Sequence, residues 1–266
     1  MPIKFGLSFT QGVLNQGSAL IWVYLDGSVS VTHAGVEMGQ EVNTKVAQVA
    51  ANTLGVSLSK ISIESANTKR VGNASPTAAS TAADINCNAA YIAASSIKNR
   101  LIPVAVGMLK AAGNENAVPA EIQFCLNEVF DRRQPDIKMS FEKLVQEAYN
   151  QQVSLGEHGN YKTPGIQFDR QTGRGTPFYY FVQGACITQA EVDLLTGRHR
   201  LLKVYILHDI GRSLNKSVDM GQITGAFFQG YGWCAMEELK YDRKGRYIQN
   251  TFSTYKIPCI RDLPEL

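Results

Sequence analysis

Two copies of the tripeptide Met-Gly-Gln lie where helices are predicted to begin, at Met38–Gln40 and Met220–Gln222. The N-terminus of a helix has unpaired N–H groups and a partial positive charge, and both favour an anion such as a phosphate. Glycine lets the backbone approach a ligand closely, while a glutamine amide both donates and accepts hydrogen bonds. The same residues also fit a simple turn with a local helix cap, so the tripeptide alone leaves both interpretations open.

The segment Ser75–Asp84 is a third candidate for anion binding. Small residues and hydroxyl groups precede a predicted helix there, and Thr81 with Asp84 approximates a capping box. The backbone amides are accessible because Ala78 and Ala79 carry little bulk. The sequence contains neither a Walker A motif nor G-x-G-x-x-G, which excludes the ordinary nucleotide-binding loops. Three compact, polar helix entrances favour a large polyanionic ligand over one small phosphate.

A planar ligand has a candidate partner in Phe9, beside which the hydroxyl of Thr10 can hydrogen-bond the edge of a ring. Burial of Phe9 in the core is equally compatible with the sequence. The carboxylates form no isolated acid–base pair, and no G-x-S-x-G nucleophile elbow occurs. These residues indicate a binding module more than a complete catalyst.

The elements that must position these residues follow from turn signals and hydrophobic periodicity. Asp26-Gly27 predicts a hairpin turn between two strands, the second of which has one buried face. An apolar stripe predicts a helix that Gly55 ends, and a later Ala-rich helix is ended or kinked by Pro103. The predicted elements of this half are strands 19–25, 28–33 and 61–64, helices from about 41 and over 82–112, and a loop over 67–81.

In the second half, the stretch 111–140 is predicted to be peripheral. It leads to a predicted helix with Ser140 as N-cap and Tyr149 on its apolar side. The Gly-rich stretch 156–177 predicts a long connecting loop. Strand, turn, strand and Met-Gly-Gln recur in both halves, which predicts a duplicated unit. The other predicted elements are strands 178–192 and 198–209, a helix over about 223–239 and a hairpin at 242–245.

The composition excludes several classes of protein. The chain of 266 residues is 44% apolar and 18% charged, so it can bury a sizeable core and is neither disordered nor collagen-like. A net charge of +3 gives no electrostatic argument for nucleic acid or an anionic membrane. Five widely spaced cysteines include no C-x-x-C pair, and the four histidines have no metal-ligand spacing. The counts predict no protein-ligated metal, and buried free thiols in the cytoplasm.

Several segments together resemble the molybdopterin-binding part of the molybdenum hydroxylases, the family of xanthine dehydrogenase. The resemblance covers nearly the whole chain in order and spacing. The matching segments are 4–10, 14–16, 23–29, 37–40, 44–49, 75–80, 219–222, 225–227 and 254–258.

The resemblance implies an α+β fold, a two-lobed molybdenum-cofactor-binding domain with duplicated strand-hairpin-helix units. This domain would cover 1–266, with lobe-like halves of about 1–112 and 178–266 joined by a helical and loop segment 113–177. Phe9, Thr10 and Leu14 would contact a purine-like substrate. Molybdopterin would be the cofactor, and the residues implied to contact it are Gln40, Ala79, Ser80, Thr81, Ala82 and Gln222.

The implied activity is hydroxylation of a carbon beside a ring nitrogen, with oxygen drawn from water. The implied partners are a preceding molybdopterin domain and domains or subunits that carry FAD and 2Fe–2S clusters. The family's base glutamate is expected beyond Leu266, so the chain is expected to hold no catalytic residue and to be an inactive part of a larger enzyme. Surfaces that meet the other parts are expected to be apolar, with poor solubility or self-association of the isolated chain.

The chain departs from the family pattern at three places. Glu41 replaces a glycine and puts a carboxylate near the expected anion, Thr224 replaces a glutamate, and the residues after Thr10 differ. These departures leave two alternatives open. One is oxidation of an aldehyde or another N-heterocycle, and the other is a non-catalytic scaffold that has lost cofactor binding.

Overall fold

The computed structural model describes residues 2–64 and 66–264, without the side chains of residues 2, 3 and 5. The chain forms two compact units: a larger unit of residues 6–180, and a smaller unit made of residues 2–5 and 181–264. The helices are α1 Val42–Leu54, α2 Ala82–Ala111, α3 Phe141–Asn150 and α4 Lys216–Ala235. The strands are β1 Pro2–Leu7, β2 Gln16–Val23, β3 Val29–His33, β4 Ile61–Glu64, β5 Ile122–Cys125, β6 Glu128–Asp131, β7 Gln134–Ser140, β8 Gly156–Lys162, β9 Gln167–Asp169, β10 Arg174–Thr176, β11 Tyr180–Val192 and β12 His199–His208.

The larger unit is built on a four-stranded sheet in the order β4-β3-β2-β8. The predicted hairpin turn between β2 and β3 is confirmed, with Gly27 at φ 75°. The predicted end of α1 is also confirmed, since Gly55 is its left-handed C-cap. The expectation of one buried face on β3 is wrong, because all five residues of this strand are buried. Both faces of the sheet are therefore covered at β3.

Helix α2 packs on this sheet through small residues. Ala89, Ala90, Ala93 and Ala94 are fully buried, as the Ala-rich sequence predicts. A Cβ on Gly159 of β8 would lie 2.1 Å from the carbonyl oxygen of Ala89, so the two backbones meet where no side chain fits. The helix continues past Pro103 to Ala111, so of the two predicted effects of Pro103, ending or kinking the helix, the first is wrong. The helix is 30 residues long and has buried residues from Ala82 to Leu109.

The stretch expected to be peripheral and loop-like contains regular structure. Strands β5, β6 and β7 form a small antiparallel sheet, and Ser140 Oγ accepts from Lys143 N–H at 3.2 Å as the predicted N-cap of α3. Tyr149 is exposed rather than on the apolar side of α3. The predicted loop over 156–177 is wrong, because β8 pairs with β2 along seven residues and β9 pairs with β10. The glycines of β8 allow close packing, not flexibility.

The smaller unit contains the sheet β1-β11-β12 and helix α4. The predicted strand pair is confirmed, with its turn at Gly197, φ 71°. Helix α4 starts at Lys216, well before the predicted residue 223, because Asn215 Oδ1 accepts from Val218 N–H and caps it. The hairpin predicted at 242–245 is reduced to one bridge between Tyr241 and Tyr247. Among the described residues of this unit, only Gly232 and Pro264 are buried.

Candidate cofactor and substrate site

Two loops of the larger unit carry the predicted cofactor residues: the loop of residues 34–41 before α1, and the loop of residues 67–81 before α2. Val36 N–H donates to Thr77 Oγ1 at 2.9 Å and joins these loops. The structure therefore brings Gln40 and the segment 79–82, which lie about 40 residues apart in sequence, onto adjacent loops.

The N-terminus of α1 already holds an anion from its own loop. Glu37 Oε1 accepts from the N–H groups of Gly39 and Glu41 at 2.9 and 3.0 Å, and Oε2 accepts from Asn43 N–H at 3.0 Å. Burial raises the pKa of the Glu37 carboxyl, but these backbone donors outweigh it and leave the pKa below its ordinary value. The phosphate site predicted at the first Met-Gly-Gln is therefore filled by a carboxylate of the chain.

Gln40 stabilises the same loop through two hydrogen bonds. Its Oε1 accepts from Met38 N–H at 2.6 Å, and its Nε2 donates to the Val36 carbonyl at 2.8 Å. Gly39 has φ 96° and needs glycine, whereas Glu41 adopts φ 62° without being one. A left-handed non-glycine residue costs about 1–2 kcal/mol. The departure from the family pattern at Glu41 thus places strain at the entrance of α1.

The N-terminus of α2 has no side-chain cap. Thr81 occupies the N-cap position but donates to the Ala78 carbonyl at 3.1 Å, so the predicted capping box with Asp84 is wrong. Ala79 and Ser80 both have positive φ, 53° and 56°, directly before the helix. Left-handed residues followed by right-handed ones turn successive N–H groups towards one point, and the first helical turn adds more unpaired donors. The entrance of α1 is capped by Glu37, whereas the first turn of α2 has no side-chain cap and the Thr81 N–H itself donates to the Ala78 carbonyl at 3.2 Å.

A half-buried acid stands in the first turn of α2. The Tyr180 hydroxyl donates to Asp84 Oδ2 at 2.6 Å, and burial raises the pKa of the Asp84 carboxyl despite this bond. Burial likewise raises the pKa of the neighbouring Cys87 thiol to about 12. Cys87 is therefore an inert buried thiol. The prediction that all five thiols are buried is wrong, since Cys125, Cys234 and Cys259 are exposed.

Two buried polar residues between the loops and α2 were missed by the sequence analysis. His33 is 1% exposed, and its Nδ1 accepts from Gly35 N–H, which leaves the ring hydrogen on Nε2 to donate to Asn43 Oδ1 at 2.8 Å. Asn86 is 2% exposed, and its Oδ1 has no hydrogen-bond partner among the described residues. A Cβ on Gly35 would lie 2.8 Å from Asn86 Nδ2, so the loop passes directly over this amide.

The predicted substrate residues are held by a buried asparagine. Asn15 Oδ1 accepts from Phe9 N–H and Asn15 Nδ2 donates to the Phe9 carbonyl, both at 2.8 Å, and Asn15 itself is 1% exposed. Ser8 is buried with φ 145°, a conformation that only glycine adopts without strain. Phe9, Thr10 and Leu14 are each half-buried and lie outside the main core. The side chain of Phe9 thus keeps a face for a ligand.

The second Met-Gly-Gln has a different position from the first. Gln222 is exposed within α4, whose N-terminus is at Asn215, and Thr224 Oγ1 donates back to the Met220 carbonyl at 2.7 Å. The prediction that this tripeptide opens a helix is wrong, because the Asn215 cap starts the helix earlier. Gln222 therefore remains a predicted cofactor residue without a helix N-terminus behind it.

Ranges 2–64 and 66–264 contain no group of three or more His, Cys, Asp or Glu side chains that could hold a metal ion. None of the helices in this described part combines the length and apolar character needed to cross a membrane. Leu266, after which the base glutamate is expected, lies outside the described residues.

The chain belongs to the molybdopterin cofactor-binding domain family, whose model matches residues 1–264. Its similarity to one group of enzymes is more specific. It is 42% identical over 264 residues to the xanthine dehydrogenase/oxidase of Mus musculus, and 42% identical over 271 residues to the xanthine dehydrogenase of Oryza sativa subsp. japonica. Each alignment covers 99% of this chain, and the chain spans 18% of the length of each relative.

The same fold occurs in a solved oxidoreductase. The quinoline 2-oxidoreductase from Pseudomonas putida 86 superimposes with a TM-score of 0.78 at 23% identity. The superposition covers 99% of this chain and 33% of the other. The implied α+β cofactor-binding fold is thereby confirmed.

Proposed function

We propose that this chain forms the cofactor- and substrate-binding part of a xanthine dehydrogenase-like enzyme that hydroxylates purines. The observation that carries the proposal is the uncapped N-terminus of α2, with left-handed Ala79 and Ser80 before it. Backbone donors without a side-chain cap fit the phosphate of a pterin cofactor, and the unpartnered Asn86 Oδ1 fits the N–H donors of a pterin by chemical type. The residues present therefore fit molybdopterin.

Each residue would contribute binding or orientation. The backbone of residues 79–82 would hold the phosphate, while Gln40 would keep the neighbouring loop in place through its two bonds to that loop. Phe9 would stack on the substrate ring, Leu14 would line the same wall, and Thr10 would bond the ring edge. Gln222 is the remaining residue proposed to contact the cofactor. The molybdenum cofactor supplies the hydroxylation chemistry when bound.

The smaller unit supports the proposal that further protein is required. Leu195 and Trp233 are 97% and 78% exposed, and further large apolar side chains of this unit are exposed as well. We propose that another molybdopterin domain covers part of this surface, and that domains with FAD and 2Fe–2S clusters receive the electrons. The isolated chain is expected to self-associate and to turn over no purine. A reducing compartment, the cytoplasm, suits its five free cysteines.

The test is a measurement of bound pterin and molybdenum in the purified chain, compared with two variants of the exposed Ser80. Ser80→Asp places a carboxylate among the donors of α2 and is expected to lower the bound pterin about tenfold or more. Ser80→Asn is the matched control, since asparagine and aspartate tolerate positive φ equally and only the charge differs.

The outcomes separate the alternatives. Equal pterin content in both variants would remove the α2 entrance from the cofactor site. Absence of pterin and molybdenum from the unaltered chain, expressed in a host that makes the cofactor, would favour the non-catalytic scaffold. Purine turnover by the isolated chain would contradict its assignment as an inactive part.

A further inference from the structure

The β9–β10 hairpin presents a cation on a rigid turn beside the substrate segment. Asp169 Oδ1 accepts from Gln171 N–H at 2.8 Å, and Oδ2 accepts from the Thr172 hydroxyl at 2.8 Å. Gly173 at φ 67° completes the turn, and β9 pairs with β10 in register. Arg170 lies inside this turn with its side chain exposed, so the backbone that carries the guanidinium is fixed.

Arg170 contacts the residue predicted to bond the substrate. Its Nη2 donates to Thr10 Oγ1 at 3.3 Å. Since a guanidinium has no acceptor, the Thr10 oxygen accepts in this bond and its own hydrogen is directed elsewhere. The Thr10 hydroxyl therefore keeps its hydrogen for donation to an acceptor on a ligand.

The charge of Arg170 is not neutralised locally. The carboxylate of the adjacent Asp169 bonds the turn, and within ranges 2–64 and 66–264 no acidic side chain lies within ion-pair distance of the guanidinium. An uncompensated guanidinium next to a hydroxyl donor favours an anionic oxygen over a neutral one. Phe9, the residue next to Thr10, has its backbone held by Asn15 and supplies a flat apolar side chain.

We propose that Arg170 is a specificity-determining residue that, together with Thr10, binds an anionic oxygen on the edge of a planar heterocycle. The inference rests on the proposed function, because it takes Phe9 and Thr10 as the substrate wall. It adds the class of ligand that this wall prefers, an oxo-heterocycle that ionises near neutral pH or carries a carboxylate. It also assigns a role to the exposed β9–β10 hairpin, which no sequence motif marks.

The experiment measures binding of two purine probes to the full chain: urate, an anion at neutral pH, and hypoxanthine, which is neutral. Arg170→Gln is expected to weaken urate binding about tenfold, since one charge-assisted hydrogen bond is lost, and to change hypoxanthine binding less than threefold. Arg174→Gln is the matched control, because Arg174 lies on the same hairpin and makes no contact with Thr10. Raising the salt concentration is expected to weaken urate binding in the unaltered chain more than in Arg170→Gln.

The inference and the proposed function fail in different ways. If the unaltered chain binds both probes and Arg170→Gln weakens them equally, or no more than Arg174→Gln does, the inference is wrong and the function stands. If the unaltered chain binds neither probe, the substrate wall itself is wrong and both proposals fall. Arg170→Lys tests geometry: a loss as large as that of Arg170→Gln supports a directed guanidinium, and full retention contradicts it.

Discussion

The two units of this protein use apolar residues in opposite ways. The larger unit buries them, and every buried apolar side chain of the main core lies between Ala19 and Ala148. The smaller unit has strands and a 20-residue helix of its own, yet many of its large apolar side chains are exposed, including Phe252 at 96% exposure. Regular secondary structure therefore does not guarantee a hydrophobic core. The larger unit is stabilised by its own buried core, and the smaller unit is not.

The largest effect is expected from truncation in the core. Leu101→Ala, in α2 at 0% exposure, should lower the free energy of unfolding by about 2–5 kcal/mol, because a buried cavity is left. Leu195→Ala in the smaller unit, at 97% exposure, should change it by less than about 0.5 kcal/mol. Urea denaturation of both variants measures the difference. Similar losses in the two variants would contradict the contrast between the units.

A buried ionisable group gives the larger unit a pH dependence of its own. Burial lowers the pKa of His33 below its ordinary 6.5, so the unfolded chain takes up a proton before the folded one does. The stability that neutral His33 contributes is full above about pH 6.5 and is lost as the pH falls through that value towards the lowered pKa. His33→Leu should cost about 1–3 kcal/mol at pH 7, since Gly35 and Asn43 lose their partner, and should flatten this slope.

The measurement for His33 is the unfolding free energy between pH 5 and 8 in both proteins. The smaller unit has no counterpart, because none of its described ionisable side chains is buried. If the slope persists in His33→Leu, another group produces it.

A pair of glycine substitutions sharpens the contrast further. Gly159→Ala should destabilise the larger unit by about 1–3 kcal/mol, because the new methyl group meets the Ala89 carbonyl. Gly225→Ala in α4 meets nothing within 4 Å and should stabilise that helix by about 0.5–1 kcal/mol. Amide hydrogen exchange measured separately in α2 and α4 gives both signs. A loss at both sites would show that α4 is packed more tightly than its exposure indicates.

The smallest effect is expected at the entrance of α1. Glu41→Gly removes left-handed strain at φ 62°, but it adds freedom to the unfolded chain and removes the hydrogen bond that the Thr44 hydroxyl donates to Glu41 Oε2. A net gain of about 0.5 kcal/mol is therefore expected. Gly39→Ala is the opposite case at φ 96° and should destabilise by a similar amount. Thermal unfolding of the two variants should shift the midpoint in opposite directions, and shifts of the same sign would contradict the strain at Glu41.

Features set by neighbouring residues were predictable from the sequence. The turn at Gly27, the helix end at Gly55 and the cap at Ser140 each follow from local backbone chemistry. Strand β8 was not predictable in this way. Its Gly156 and Gly159 resemble loop residues, but they are required by Trp22 and by α2, which are distant in sequence.

The same distinction between neighbouring and distant residues applies to the candidate site. The segments of Phe9, Gln40 and Ala79 were predicted as parts of the site because short motifs mark them. Asn15, Glu37 and His33 give those segments their conformations, and no motif marks their partners. The start of α4 was predicted too late in the chain, because the prediction relied on the repeated tripeptide and overlooked the capping Asn215.

The hydrogen bond between Val36 and Thr77 has a consequence for ligand binding. It connects the two loops directly, so a ligand that orders the loop before α2 also restricts the loop before α1. The loss of conformational entropy is then shared between two contacts instead of being incurred once for each. Thr77→Val would separate the loops, and a ligand that spans both would have to immobilise each loop independently.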